Sequence, residues 1–131
     1  MREVKYGFYK ELPGKNIQQA EEVATEALKK QGFGVLTRID VKETMKKKID
    51  ADFKPYVILG ACNPNLAYKT LSVDDTVGLF LPCNVVVAET DRGAEVAIIK
   101  AEEMFQSINN ADIKPMAEEA NALLQKAFDS M

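Results

Sequence analysis

The chain has two cysteines and no histidine. The cysteines stand in parallel settings, Gly60-Ala61-Cys62-Asn63-Pro64 and Leu81-Pro82-Cys83-Asn84-Val85. In each, an asparagine follows the thiol directly, at a point where an apolar run meets a turn signal. Backbone groups and side chains converge on ligands at such junctions. Two thiols can act as a redox pair, as metal ligands, or as a nucleophile with a supporting group. Their separation is not the C-x-x-C spacing of thioredoxin-like redox sites. Two thiolates without histidine supply half of a tetrahedral zinc shell, so no metal site is read from the sequence. The missing histidine also removes Ser-His and Cys-His catalysis and the usual general base near neutral pH. A helix opening after Asn63 would bring its positive end to Cys62 and lower that thiol's pKa. The plainer alternative is two small buried residues, the common fate of free cysteines.

The asparagine amides both donate and accept, so Asn63 and Asn84 can orient a ligand. Free N–H groups at a helix start after Pro64 suit a carboxylate or phosphate. Equally, Asn63 can be a helix cap and Asn84 a turn residue. The candidate ligand-binding set is Cys62, Asn63, Pro64, Tyr68, Cys83 and Asn84, with no cofactor specified. Asp50-Ala51-Asp52 and Asp74-Asp75 are close carboxylate pairs, but they lack the ligand density of a calcium loop and sit in polar turns. Lys46-Lys47-Lys48 fans around a helix without interleaved aromatics, which describes a solvated face better than a nucleic-acid patch.

These residues need a scaffold to hold them, and its elements can be read in order. Alternation at Val4, Tyr6 and Phe8 predicts a strand, ended by a Pro13-Gly14 turn. Asn16 with Gln19 forms a capping box for a helix with apolar residues Ile17, Ala20, Ala24, Ala27 and Leu28, stopped by Gly32. Phe33 to Ile39 reads as a strand. Asp40 with Glu43 starts a short helix to about Ile49, with Val41, Met45 and Ile49 facing inward. Tyr56 to Gly60 is an unbroken apolar run, the mark of a strand covered on both faces. Asn63-Pro64 opens a helix to about Leu71, followed by a polar turn over 72–76. Gly78 to Leu81 and Asn84 to Glu89 read as strands broken at Pro82-Cys83. Asp91-Arg92-Gly93 turns into a strand from Ala94 to Ile99. A brief helix over 101–106 precedes a final amphipathic one carrying Met116, Ala120, Leu123, Leu124, Ala127 and Phe128. This order argues for an α+β fold: a largely antiparallel sheet covered by two long helices, with short inserted helices.

At 131 residues the chain fits one domain spanning 1–131, able to bury roughly two-thirds of its unfolded surface. A net charge of −3 gives no electrostatic reason to bind nucleic acid or an anionic membrane. No apolar run approaches the roughly 20 residues of a membrane span. The start, Met1-Arg2-Glu3-Val4-Lys5-Tyr6, carries no apolar leader segment. A cytoplasmic protein with reduced thiols is expected.

The blocks Gly32-Phe33-Gly34-Val35-Leu36-Thr37, Ile39-Asp40-Val41, Gly60-Ala61-Cys62-Asn63-Pro64 and Leu81-Pro82-Cys83-Asn84-Val85-Val86-Val87 resemble domain-of-unknown-function family 302. The resemblance covers nearly the whole chain. It implies an α+β fold similar to the TATA-binding-protein arrangement and a tendency to dimerise, but no assigned reaction. Many members of that family carry histidine where this chain has Tyr68, so a histidine-dependent role has no residue here. An edge strand at Val4 to Phe8 would also favour a homodimer. Three functions stay open: a small polar or anionic ligand held at the two Cys-Asn segments, a thiol enzyme using Cys62 with Cys83, or an interaction module acting as a homodimer.

Overall fold

In the computed structural model, residues 4–131 are described; Met1 to Glu3, part of the stretch read for a leader, lie outside them. Five strands form one antiparallel sheet: β1 (Gly7–Pro13), β2 (Gly34–Asp40), β3 (Tyr56–Cys62), β4 (Cys83–Thr90) and β5 (Gly93–Ile99), in the order β1-β5-β4-β3-β2. Five helices accompany it: α1 (Ile17–Lys30), α2 (Val41–Ile49), α3 (Pro64–Val73), α4 (Ala101–Met104) and α5 (Lys114–Asp129). The α+β architecture and the two long helices are as the sequence implies.

The core lies between α1, α5 and one sheet face. Val57, Leu59 and Ala61 of β3, Val85 and Val87 of β4, and Val96 and Ile98 of β5 point to this side. They meet Ala20, Ala24 and Leu28 of α1 and Ala120, Leu124 and Ala127 of α5. The small residues on both helices let them sit close to the sheet, where a fully buried Leu28 or Ile98 is worth about 2 kcal/mol. α1 starts on the expected capping box: Asn16 Oδ1 accepts from the Gln19 N–H, and Gln19 Oε1 accepts from the Asn16 N–H. Gly32, at φ +83°, ends it. In the β4–β5 hairpin, Thr90 pairs with Gly93 across the two-residue loop Asp91-Arg92.

Several sequence readings need correction. β1 begins at Gly7, not Val4, because pairing with β5 runs from Gly7–Ile99 to Pro13–Gly93; Tyr6 is exposed before it. As an edge strand, β1 tolerates Pro13 at its end. β3 is covered on one side only: Val57 and Leu59 are buried while Tyr56 and Ile58 are half-buried. Nothing in α2 is buried, and Ile49 is 69% exposed. That helix is a short solvated connection, held by the Asp40 cap and by the Glu43–Lys47 and Lys46–Asp50 ion pairs. Only half of its capping box forms, since the Glu43 carboxylate goes to Lys47.

The segment read as a strand at Gly78 to Leu81 is instead a 3-10 turn over Asp75–Phe80. Asp74 Oδ1 accepts from both the backbone N–H and the hydroxyl of Thr76, winding the chain into the turn. Val77 is buried while Leu79 faces solvent, so neighbouring apolar residues diverge as they do in a helix. One strand is therefore lost from the expected set, and β4 starts at Cys83 directly after Pro82.

Candidate functional site

Cys62 is the last residue of β3 and Cys83 the first of β4. The strands pair Ala61 with Cys83, so the register sets the end of β3 beside the start of β4 although the two cysteines are distant in sequence; Cys83 shares the core face with Ala61, and Cys62 follows on the other side of the strand. Both cysteines are free. They line a cavity of about 30 Å³ at this end of the sheet. α3 supplies Leu66, Ala67 and Thr70 to the wall, α5 supplies Met116 and Ala120, and Phe33 and Phe105 close it with aromatic rings. The Thr70 hydroxyl donates to the Leu66 carbonyl at 2.7 Å and reaches Met116 Sδ at 3.4 Å.

Asn63 stands at the rim. Its Oδ1 accepts from the Leu66 N–H at 3.3 Å, the N-cap that Asn63-Pro64 implied. Its amide nitrogen lies against Gly32, where an added Cβ would approach it to 3.1 Å. The end of α1 and the start of α3 therefore lock together at the mouth of the cavity.

Of the six sequence candidates, Cys62, Asn63 and Cys83 come together. Pro64 occupies the first turn of α3 and is exposed; Tyr68 is 75% exposed, and Asn84 also faces solvent, one residue past Cys83. These three do not line the cavity. Asp50 and Asp52 both approach Lys46 Nζ, at 2.8 and 3.6 Å, and Asp74 is a cap. Among the described residues no group of three His, Cys, Asp or Glu gathers as metal ligands would.

Burial sets the chemistry of the thiols. It pushes the Cys83 thiol up to about 11, with the neighbouring Cys62 adding to the rise. Burial pushes the Cys62 thiol up as well. The helix start beside Cys62 was expected to lower its pKa, and the outcome is the reverse. Withdrawing the thiolate from water is what raises it. Near neutral pH both groups are protonated, and a protonated thiol is a poor nucleophile.

Sequence reasoning missed Met116, Thr70, Phe33 and Phe105 as wall residues. Met116 and Phe105 carry apolar signals that read simply as core. It also missed a wider groove of about 650 Å³ between α1 and the β2–α2 corner, with Glu21, Glu22, Glu26, Arg38 and Lys42 on its walls. Arg38 there is already held by Glu21 through two hydrogen bonds of 2.7 and 3.0 Å. A third unread feature lies on the sheet face away from α1 and α5, where Tyr9 donates to the carboxylate of buried Glu95.

No helix among the described residues is long and apolar enough to cross a membrane. No curated protein matches this sequence. A crystal structure of an uncharacterized conserved DUF302 protein from Bacillus stearothermophilus is similar to this one, with a TM-score of 0.86 and 29% sequence identity. The match covers 97% of this chain and 98% of that one. The model of the family described as domain of unknown function DUF302 matches residues 8–131, which include both cysteine segments and every wall of the cavity between them. The chain belongs to the DUF302 family.

Proposed function

We propose that the protein is a ligand-binding domain whose site is the cavity between Cys62, Cys83 and Met116, entered past Asn63. The observation that carries this reading is convergence: β3, β4, α3 and α5 each deliver residues to one small space. A space of about 30 Å³ accepts one or two water-sized guests, so the ligand is a single ion or a molecule of a few atoms. The apolar wall does not suit a free anion. An anionic group would have to stay outside, at the α3 start, where Asn63 already occupies the Leu66 N–H. The upward-shifted, protonated thiols of half-buried Cys62 and buried Cys83 argue against a nucleophilic enzyme. A reducing, cytoplasmic setting suits the two free thiols. Native mass spectrometry of the purified protein, with amide NMR to locate any bound species, tests the reading. A retained species that shifts resonances of Cys62, Leu66 and Met116 supports it; a species that shifts only residues elsewhere refutes it.

A homodimer is the second proposal. On the sheet face away from α1 and α5, Ile39, Ile58, Val86 and Ala97 fall in one row across four strands. Ile39 is exposed and the other three are half-buried. A second copy laid on this row would cover it, and the β1 edge offers further pairing. Light scattering should return twice the 14.5 kDa chain mass, and Ile58→Glu should halve it. A monomeric mass for the unaltered protein would refute the dimer.

A further inference from the structure

We infer that the groove between α4 and the start of α5 is a second binding site, for an uncharged small molecule with an apolar body and one amide- or hydroxyl-bearing edge, and that Phe105 connects it to the cavity lined by Cys62 and Cys83. This second site stands whatever the smaller cavity holds.

The groove has a volume of about 540 Å³, which is the size of a small-molecule site, against about 30 Å³ for the cavity. Buried Phe105, Ile113 and Ala117 form its floor, with half-buried Ile108 beside them. Ala111 and Ala117 leave the space open because their side chains are short. The floor is fixed by the backbone around it. The Ile113 carbonyl accepts from the N–H groups of Met116 and Ala117 at 3.0 and 3.1 Å, and the Asn110 carbonyl accepts from those of Ile113 and Lys114. The groove is thus formed before any ligand arrives, which spares a ligand the cost of ordering it.

The rim sets the class of ligand. Gln106 and Asn109 are exposed amides that can both donate and accept. Asn110 Oδ1 accepts from the Asp112 N–H at 2.9 Å, so that side chain offers a ligand its amide N–H groups. Such a rim matches an amide or hydroxyl edge, and the floor takes an aromatic or aliphatic body. A free anion is badly served, because Glu102 and Glu118 stand on the rim against Lys114 alone. The N–H groups at the start of α5 are already taken by Asn110 and Ile113, and Pro115 has none. A cation gains little from carboxylates exposed to water, and it loses hydration over the apolar floor.

Phe105 lines both spaces. Its ring meets Phe80 edge-on, with centroids 5.8 Å apart and planes at 84°. Its backbone N–H donates to the Ala101 carbonyl at 3.0 Å, so the residue is held at the end of α4. A guest seated on the groove floor presses on a wall that the cavity shares with it. Occupancy of the groove is therefore felt at the cavity without contact between the guest and either cysteine.

The test is an amide NMR titration of the full chain with benzamide, benzoate and benzylamine, which share a phenyl ring and differ in charge. Benzamide should give saturable shifts at Gln106, Asn109 and Ala117 and smaller ones at Cys83 and Leu66, and should bind about threefold or more tighter than either charged compound. Gln106→Ala and Asn109→Ala should weaken benzamide and leave toluene, which has no polar edge, unchanged. Ala111→Phe, at an exposed position, should block every compound by filling the groove while circular dichroism keeps its native form. Tighter binding of benzoate or benzylamine would overturn the ligand class. Shifts in the groove with none at Cys83 or Leu66 would overturn the connection through Phe105. The site itself falls if no compound gives saturable shifts, if the shifts lie elsewhere, or if they survive Ala111→Phe.

Discussion

Replacing Gly60 with alanine tests how the two cysteine segments are held against each other. A Cβ built at Gly60 would lie 2.1 Å from Thr37 Oγ1 and 2.6 Å from Pro82 Cγ. Both gaps are about an ångström short of ordinary contact. Thr37 is exposed and its hydroxyl can turn to another rotamer at small cost. Pro82 has no such freedom, because its ring is fixed to the backbone and the next residue is Cys83, already paired with Ala61. The new methyl must therefore displace the Leu81-Pro82 backbone or bend β3, an overpacking cost of about 1–3 kcal/mol. For a chain of this size each kcal/mol corresponds to roughly 3–5 °C in Tm. Urea unfolding of Gly60→Ala, Thr37→Ala and the double variant measures the cost and assigns it. A shift in midpoint at constant slope reports stability alone. Thr37→Ala should be nearly neutral, and the double variant should regain only part of the loss because Pro82 still obstructs. Alkylation of Cys83 should also quicken in Gly60→Ala as the adjoining backbone moves. A Gly60→Ala protein within about 0.5 kcal/mol of the unaltered one would refute the wedge. Full recovery in the double variant would assign the clash to Thr37 alone.

Three further outcomes are expected. Cys83 titrates near its ordinary 9.0 when unfolded and at about 11 when folded, so its contribution is intact below pH 9 and is lost as pH rises toward 11, by about 3 kcal/mol in all; urea unfolding from pH 7 to 11 should show this fall, and Cys83→Ala should flatten it. Asn63→Ala should cost about 1 kcal/mol through loss of the α3 cap, while Asn63→Asp should hold stability, both read by thermal melting. Gly93→Ala, at φ +149° with Gly14 N, Leu12 O and Lys15 O all within 3.0 Å of the added carbon, should cost about 3 kcal/mol or more, whereas Gly14→Ala meets no atom and should cost only about 1–2, as denaturant midpoints would show.

The parts of the fold legible in the sequence are those written in local chemistry. Asn16 with Gln19, Gly32, and Asn63 with Pro64 each act within one helical turn, and all form as read. The failures fall where a local pattern meets a non-local decision. Val41, Met45 and Ile49 repeat as a buried face should, but α2 spans the β2–β3 connection without a layer to bury them. The run Tyr56 to Gly60 reads as doubly covered because its outward residues are also apolar, and sequence alone cannot show that α1 and α5 lie on the same side. At Asp74 a side-chain cap outweighs the strand-like composition of the residues after it.

The site divides along the same line. Each Cys-Asn pair is visible as a strand end meeting a turn, and antiparallel pairing of β3 with β4 is enough to bring the two ends together. What closes the space around them is α5, which comes from the far end of the chain. Met116 sits on the same helix as Leu124 and Ala127, so it reads as one more apolar residue in a packing stripe. Its different meaning comes from position: it lies in the first turn, beyond the part of α5 that packs on the sheet and level with the ends of β3 and β4. The same helix therefore does two things along its length. Its C-terminal half fixes the core through Leu124 and Ala127, and that anchoring sets where Met116 meets the cavity wall. A cavity-forming change such as Leu124→Ala should thus reach Met116 and the cavity wall through the helix, although Leu124 does not itself line the cavity, and amide NMR shifts at Met116 and Thr70 would show it.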